Sequence, residues 1–179
     1  MFRETSVEVK RDVEATLIPT GVKVKLQEGT SVFVTQALGN SYTLYVNGNL
    51  VRIAGKDGDA LGLVILDIPD VNELDLSIEE KILTQLKTCF DPEIPVNIVD
   101  LGLIYEWQVL PLGKQEFSAE IKMTLTAAGC GMGPVLVNEV EEKIRQINGI
   151  STVKVELVFE PPWDKSRMSD EAKLQLGLL

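Results

Sequence analysis

The spacing of apolar residues changes near residue 70, and this change limits the folds that the chain can adopt. Before it, short segments such as Gly21–Leu26 alternate apolar and polar residues, and turn residues separate them. Asn47-Gly48 is typical of a two-residue type I′ hairpin turn. After it, apolar residues recur at helical spacing between further alternating segments. The predicted organisation is a small β-rich, barrel-like domain over residues 1–68, a linker over residues 69–76 and an α+β domain over residues 77–179.

The second domain has a predicted element order of α-β-β-α-β-α. Ser77 and Glu80 have the spacing of a capping box at the start of the first helix. Asp91 precedes a proline, which disfavours helical backbone at that position and predicts the end of the helix. Pro134 suits the first turn of the second helix. The third strand is predicted over Thr152–Phe159, with Phe159 on its inner face. We therefore predict an α+β fold in which helices pack against a small three-stranded mixed sheet.

Composition excludes several classes of protein. An apolar fraction of 45% is typical of a folded chain rather than a disordered one. The 17 basic and 27 acidic residues give a net charge of -10, which disfavours binding to the phosphates of nucleic acids. No apolar stretch approaches the roughly 18 residues that cross a membrane, and no secretory signal is visible. We expect a cytoplasmic protein that binds neither nucleic acid nor membrane.

The chain contains no histidine and only two cysteines, Cys89 and Cys130. The absence of histidine removes the Ser/His and Cys/His catalytic mechanisms and the commonest metal ligand. One chain also lacks the thiols for a closed zinc site or a four-thiolate cluster. Any metal chemistry must therefore use one or two thiols together with carboxylates.

Cys130 is the best candidate for a reactive group because of its position. It falls between a predicted strand and a predicted helix, among small residues such as Gly129. The unpaired N–H groups of a helix N-terminus favour thiolate over thiol. Thr124 and Thr126 are candidate hydroxyl donors to that thiolate. The alternative is a buried structural cysteine, and position alone does not separate the two.

A second candidate is the loop that begins at Asp91-Pro92-Glu93. Two prolines stiffen this loop, so little entropy would be lost if it bound a partner. The alternative is a helix stop with two solvated acids, Asp91 and Glu93. Asp100 is likewise either a binding residue or a loop brace. Cys89 is expected in the core, and Trp163 is expected either to dock a partner or to pack back on the sheet.

Three segments together resemble the metal–sulfur cluster assembly family, which includes PaaD-like proteins and the iron–sulfur targeting factors of the eukaryotic cytosol. The β-rich front and the sequence after the cysteine are similar to the SufT branch of that family. The resembling segments are Asp91–Tyr105, Met123–Thr126 followed by Cys130-Gly131-Met132-Gly133-Pro134, and Val158–Trp163.

The resemblance implies an auxiliary, non-enzymatic role in maturing iron–sulfur clusters or delivering them to client proteins. The reactive cysteine of the family falls on Cys130, and its acidic motif falls on Asp91 and Glu93. The implied partners are iron–sulfur scaffold, carrier and client proteins, and members are often homodimers. A transient iron–sulfur cluster is the implied cargo, and no stably bound cofactor is expected. Stable zinc binding is not implied, because this chain lacks the cysteine-rich tail that PaaD-like members carry.

Two other functions stay open at this stage. The chain could be a protein-interaction module in which the cysteine is structural. It could also be a thiol-dependent transferase with Cys130 as nucleophile, although the absence of histidine disfavours this.

A two-fold dimer could bring two copies of Cys130 together, with the remaining cluster positions filled by glutathione, by Cys89 or by the client.

Overall fold

The computed structural model of this protein describes residues 5–18, 20–66, 68–91, 93–129 and 131–179. The chain divides between Ile68 and Pro69 into two compact units. Across the described residues, every helix is too short or too polar to cross a membrane. The predicted domain boundaries stay a prediction, but Val71, which lies in the predicted linker, is buried in the core of the second unit.

The first unit is one antiparallel sheet of six strands. The spatial order of the strands is β1-β4-β5-β6-β2-β3. Their bounds are Thr5–Glu8 (β1), Val13–Ile18 (β2), Lys23–Leu26 (β3), Ser31–Leu38 (β4), Ser41–Val46 (β5) and Asn49–Ala54 (β6).

Alternation of side chains places the core of the first unit on one face of this sheet. In β5, for example, Tyr42, Leu44 and Val46 are buried while Tyr45 is exposed. Asn47 and Gly48 both have positive φ, at 49° and 81°, as a type I′ turn between β5 and β6 requires. The predicted β-rich unit is therefore confirmed, whereas its barrel-like closure stays a prediction.

The second unit has the predicted order of elements, α-β-β-α-β-α. The bounds are Ile78–Leu86 (α1), Ile104–Pro111 (β7), Phe117–Met123 (β8), Gly133–Arg145 (α2), Ile150–Leu157 (β9) and Asp170–Gln175 (α3). The sheet order is β7-β8-β9. Strands β7 and β8 are antiparallel, and β8 and β9 are parallel, so the predicted mixed sheet is confirmed.

The central strand and two helices supply most of the second core. In β8 the inward side chains of Ala119, Ile121 and Met123 are buried. Helices α1 and α2 cover them with apolar residues at helical spacing. The buried helical residues are Ile82 and Leu86 in α1 and Leu136, Val140 and Ile144 in α2.

Two predicted boundaries were wrong. Helix α1 ends at Leu86 rather than continuing to Phe90, which instead forms an isolated bridge to Asn97. The Lys143 ammonium, on α2, donates to the Thr88 carbonyl (2.7 Å) just beyond this end. The third strand ends at Leu157, and Phe159, predicted on its inner face, lies beyond it with 45% of its surface exposed.

The capping box at the start of α1 gives a prediction for the dependence of stability on pH. The Ser77 N–H donates to the Glu80 carboxylate (2.8 Å), and this hydrogen bond lowers the pKa of Glu80 below its ordinary 4.5. Because the folded-state pKa is depressed, the stabilisation is present above the unfolded pKa and is lost as the pH falls through the folded value.

We expect Glu80→Gln to lower the free energy of unfolding at neutral pH, and the difference from wild type to shrink in acid. Chemical denaturation at about pH 7 and about pH 3 measures this. The matched control is Glu79→Gln, also in the first turn but outside the capping box. An effect of Glu80→Gln that is the same at both pH values would contradict the prediction.

Candidate functional site

The acidic loop (residues 91–97, of which Pro92 lies outside the described part) is organised by the Asp91 side chain. One carboxylate oxygen accepts the backbone N–H groups of Glu93 (2.9 Å) and Ile94 (2.8 Å). Asp91 is only 3% exposed, whereas Glu93 is exposed. The predicted pair of acids is therefore divided: Asp91 faces inward and holds the loop, and Glu93 faces solvent.

The second carboxylate oxygen of Asp91 connects the acidic loop to the segment that follows β8. It accepts a hydrogen bond from the Thr126 hydroxyl (3.3 Å). A buried carboxylate needs such donors, since burial without them is costly. This contact brings together two of the residues predicted from sequence, 35 positions apart. The single hydroxyl hydrogen of Thr126 is used here, and its predicted donation to a thiolate stays a prediction.

The cysteine loop (residues 124–132) joins β8 to α2, and Cys130 itself lies outside the described residues. At its start Thr124 is buried, and its N–H donates to the Leu103 carbonyl (2.9 Å). The residues nearest Cys130 differ from this buried start. Gly129 and Gly131 are both exposed, and a Cβ at either position would meet no atom within 4 Å apart from those of its own chain neighbours.

The cysteine loop leads directly into α2. Among the described residues no side chain caps this helix N-terminus, and its first turn contains no acidic residue. A Cβ at Gly133 would come within 2.9 Å of a Leu125 methyl group, which would have to shift. Unpaired N–H groups and the helix dipole favour an anion at such an end. The local backbone therefore favours negative charge beside the cysteine loop.

The Asp100-Leu101-Gly102 segment makes contacts that hold the loop in place. The Asp100 carboxylate accepts from the Asn97 amide (2.6 Å), and the Leu101 carbonyl accepts from the Trp163 indole N–H (2.7 Å). Gly102 has φ of 74°, and a Cβ there would overlap the Arg167 carbonyl. Of the two interpretations left open for Asp100 and Trp163, the structure supports packing.

Sequence reasoning missed Asn97. Its side-chain oxygen accepts the N–H groups of Val99 (3.1 Å) and Asp100 (2.9 Å), which fixes the turn after the acidic loop. The signal was present, because asparagine commonly bonds to backbone groups two or three residues ahead.

Cys89 is placed in the core, as expected. It is 0% exposed, and its thiol donates to the Gln85 carbonyl at a sulfur–oxygen distance of 3.7 Å. The suggestion that Cys89 fills a cluster position is therefore wrong for this conformation. Within the described part of the chain, no three acidic, cysteine or histidine side chains are grouped to hold a metal ion.

Comparison with known proteins finds a matching family and similar sequences. The sequence model of a family described as iron–sulfur cluster assembly protein matches residues 79–157, within the second unit. An "Fe-S protein maturation auxiliary factor" of Porphyromonas gingivalis is 45% identical over 58% of this chain and 95% of its own length. "Fe-S protein maturation auxiliary factor SufT" of Staphylococcus aureus is 40% identical over 49% of this chain and 96% of its own.

A solved structure, that of a domain of unknown function (DUF59) from Bacillus anthracis, is 35% identical. The match covers 57% of this chain and 93% of that one, with a TM-score of 0.48.

The second unit is thus an α+β module in which the start of the cysteine loop contacts the buried carboxylate of Asp91. Its sequence matches nearly the whole length of the two auxiliary factors named above. The chain belongs to the iron–sulfur cluster assembly protein family as a SufT-type member. The resemblance stated from the motifs is confirmed.

The division between Asp91 and Glu93 predicts different effects of substitution. Asp91→Ala should lower the free energy of unfolding by about 1–3 kcal/mol, because three donors lose their acceptor. Asp91→Asn should lose less, since the amide oxygen can accept the same two N–H groups. Glu93→Ala should change stability by no more than about 0.5 kcal/mol. Urea denaturation measures all three, and equal effects at both positions would contradict the assignment.

Proposed function

We propose that this protein is an auxiliary factor in the maturation of iron–sulfur clusters or their delivery to client proteins, with Cys130 as a transient ligand or contact residue. The observation that carries the proposal is the contrast within the cysteine loop. Its start is buried and tied to Asp91, while Gly129 and Gly131, on both sides of Cys130, are exposed. The names of the similar proteins support the same role.

The chemistry of the loop suits a cluster that is cargo rather than a resident cofactor. A thiolate is a good ligand for iron, and the N-terminus of α2, which no described side chain caps, favours the charged form of a nearby thiol. One thiol per chain leaves most iron positions to other donors. Those donors would be glutathione, a second copy of Cys130 or the client, since Cys89 is buried. An incomplete set of ligands permits release.

The proposed partners are scaffold, carrier and client proteins, which would be bound through the exposed side of the acidic loop. Glu93 is exposed there, and Asp91 fixes the backbone on which it is presented. A loop that is ordered before binding loses little entropy when it engages a partner. We further propose that the protein acts by contact with its partners and is not an enzyme. We also propose that it is a cytoplasmic homodimer.

Substitution of Cys130 tests the proposal directly. In a strain lacking the gene, Cys130→Ser at matched protein level should fail to restore the activities of iron–sulfur enzymes, because serine removes the soft ligand. Cys89→Ala is the matched control and should restore them if the variant accumulates normally. The measurement is the activity of iron–sulfur enzymes in extracts.

Full restoration by Cys130→Ser would overturn the role of the cysteine. It would favour the alternative, an interaction module in which the acidic loop binds the partners and the cysteine is structural. In that case Glu93→Lys, which changes an exposed side chain, should abolish restoration while the folded protein persists.

A further inference from the structure

Strand β9 forms one edge of the three-stranded sheet. Within the described residues it pairs with β8 alone, in parallel, and its register is regular from Thr152 to Leu157. An edge strand presents unpaired N–H and C=O groups, which makes it a template for another strand.

The hydrogen-bonding direction along β9 shows which residues present these groups. The Val158 N–H donates to the Met123 carbonyl of β8 (2.8 Å). Because backbone groups alternate sides along a strand, those of Val153, Val155 and Leu157 point away from β8. The side chains of these three residues lie on the inner face of the sheet and are only half-buried against the core.

The opposite edge of the sheet, β7, has features that commonly block strand pairing. Its register with β8 is interrupted between Ile104 and Glu106, which leaves Tyr105 as a bulge, and it ends at Pro111, which has no N–H. Bulges and prolines are common ways of protecting an edge. Between Thr152 and Leu157, β9 has neither.

The charges on the outer face of β9 favour a second copy as the occupant and favour one register over the two adjacent ones. Lys154 and Glu156 are exposed, and the register places Glu120 and Lys122 of β8 opposite them. Neither forms an ion pair with a described residue, because Glu120 accepts from the Gln108 amide (2.7 Å) and Lys122 pairs with Glu106 (3.2 Å). If a second copy pairs antiparallel with β9 about a two-fold axis at Val155, Lys154 lies opposite the partner subunit's Glu156. Centring on Lys154 or on Glu156 would instead place like charges opposite each other, which is unfavourable.

We propose that this protein forms a two-fold dimer in which β9 pairs antiparallel with the β9 strand of a second copy, centred on Val155. The result is a continuous six-stranded sheet. Val153 then lies opposite the partner subunit's Leu157, which covers apolar surface that is half-exposed in one copy. This dimer deepens the proposed function, which uses a homodimer, but its test reads oligomeric state rather than client activation, so either can fail alone.

Exchanging the two charges tests the pairing on the full chain. Lys154→Glu and Glu156→Lys each place like charges opposite one another twice per dimer, and each should weaken dimerisation about tenfold or more. An equimolar mixture of the two variants should form a mixed dimer, because every cross-strand pair then again joins opposite charges. Sedimentation equilibrium measures the dissociation constants, and circular dichroism confirms that each variant is folded.

Gln108→Lys, on the outer face of β7, is the matched control and should leave dimerisation unchanged. Hydrogen exchange gives a second readout: the amides of Val153, Val155 and Leu157 should become protected as the dimer forms. Three results would overturn the proposal. They are a monomer at every concentration, a dimer that survives both substitutions, and protection of these amides only when another protein is added.

Discussion

The arrangement of the second unit depends on one buried carboxylate. Asp91 accepts hydrogen bonds from two N–H groups of its own loop and from Thr126, which belongs to a different part of the sequence. Because a buried carboxylate is stable only when such donors surround it, this contact fixes two loops at once. The acidic loop closes on itself, and the segment after β8 is held beside it. The start of the cysteine loop is therefore fixed at Thr126, and the exposed residues around Cys130 come next along the chain.

The C-terminal segment supports the other side of this arrangement. Trp163 donates to the Leu101 carbonyl, and Arg167 lies over the Tyr105 ring at 4.5 Å, an arrangement favourable for a cation and an aromatic face. The residues of these motifs therefore have two structural roles. Asp91, Gly102 and Trp163 position backbone, whereas Glu93 is left on the surface. In the proposed role, a rigid frame with an exposed loop keeps the contact surface available without a large ordering cost.

Local signals in the sequence predicted most of the second unit. The capping box and the alternating strands each act over a few residues, and the element order was correct. The features that were predicted wrongly depend on contacts between residues far apart in the sequence. Helix α1 stops early, and Thr88 just beyond its end is bonded to Lys143, 55 residues away. The inward orientation of Asp91 depends on Thr126. In the first unit, β1 and β2 were missed; β2 contains alanine at a buried position, which weakens the strand signal.

The central claim is that the cysteine loop presents a reachable thiol while the other cysteine stays in the core. Alkylation of the native protein by iodoacetamide at neutral pH, followed site by site with mass spectrometry, measures both thiols in one sample. We predict rapid modification of Cys130 and none of Cys89 until the protein is unfolded. Equal protection of the two cysteines in the native protein would contradict the claim.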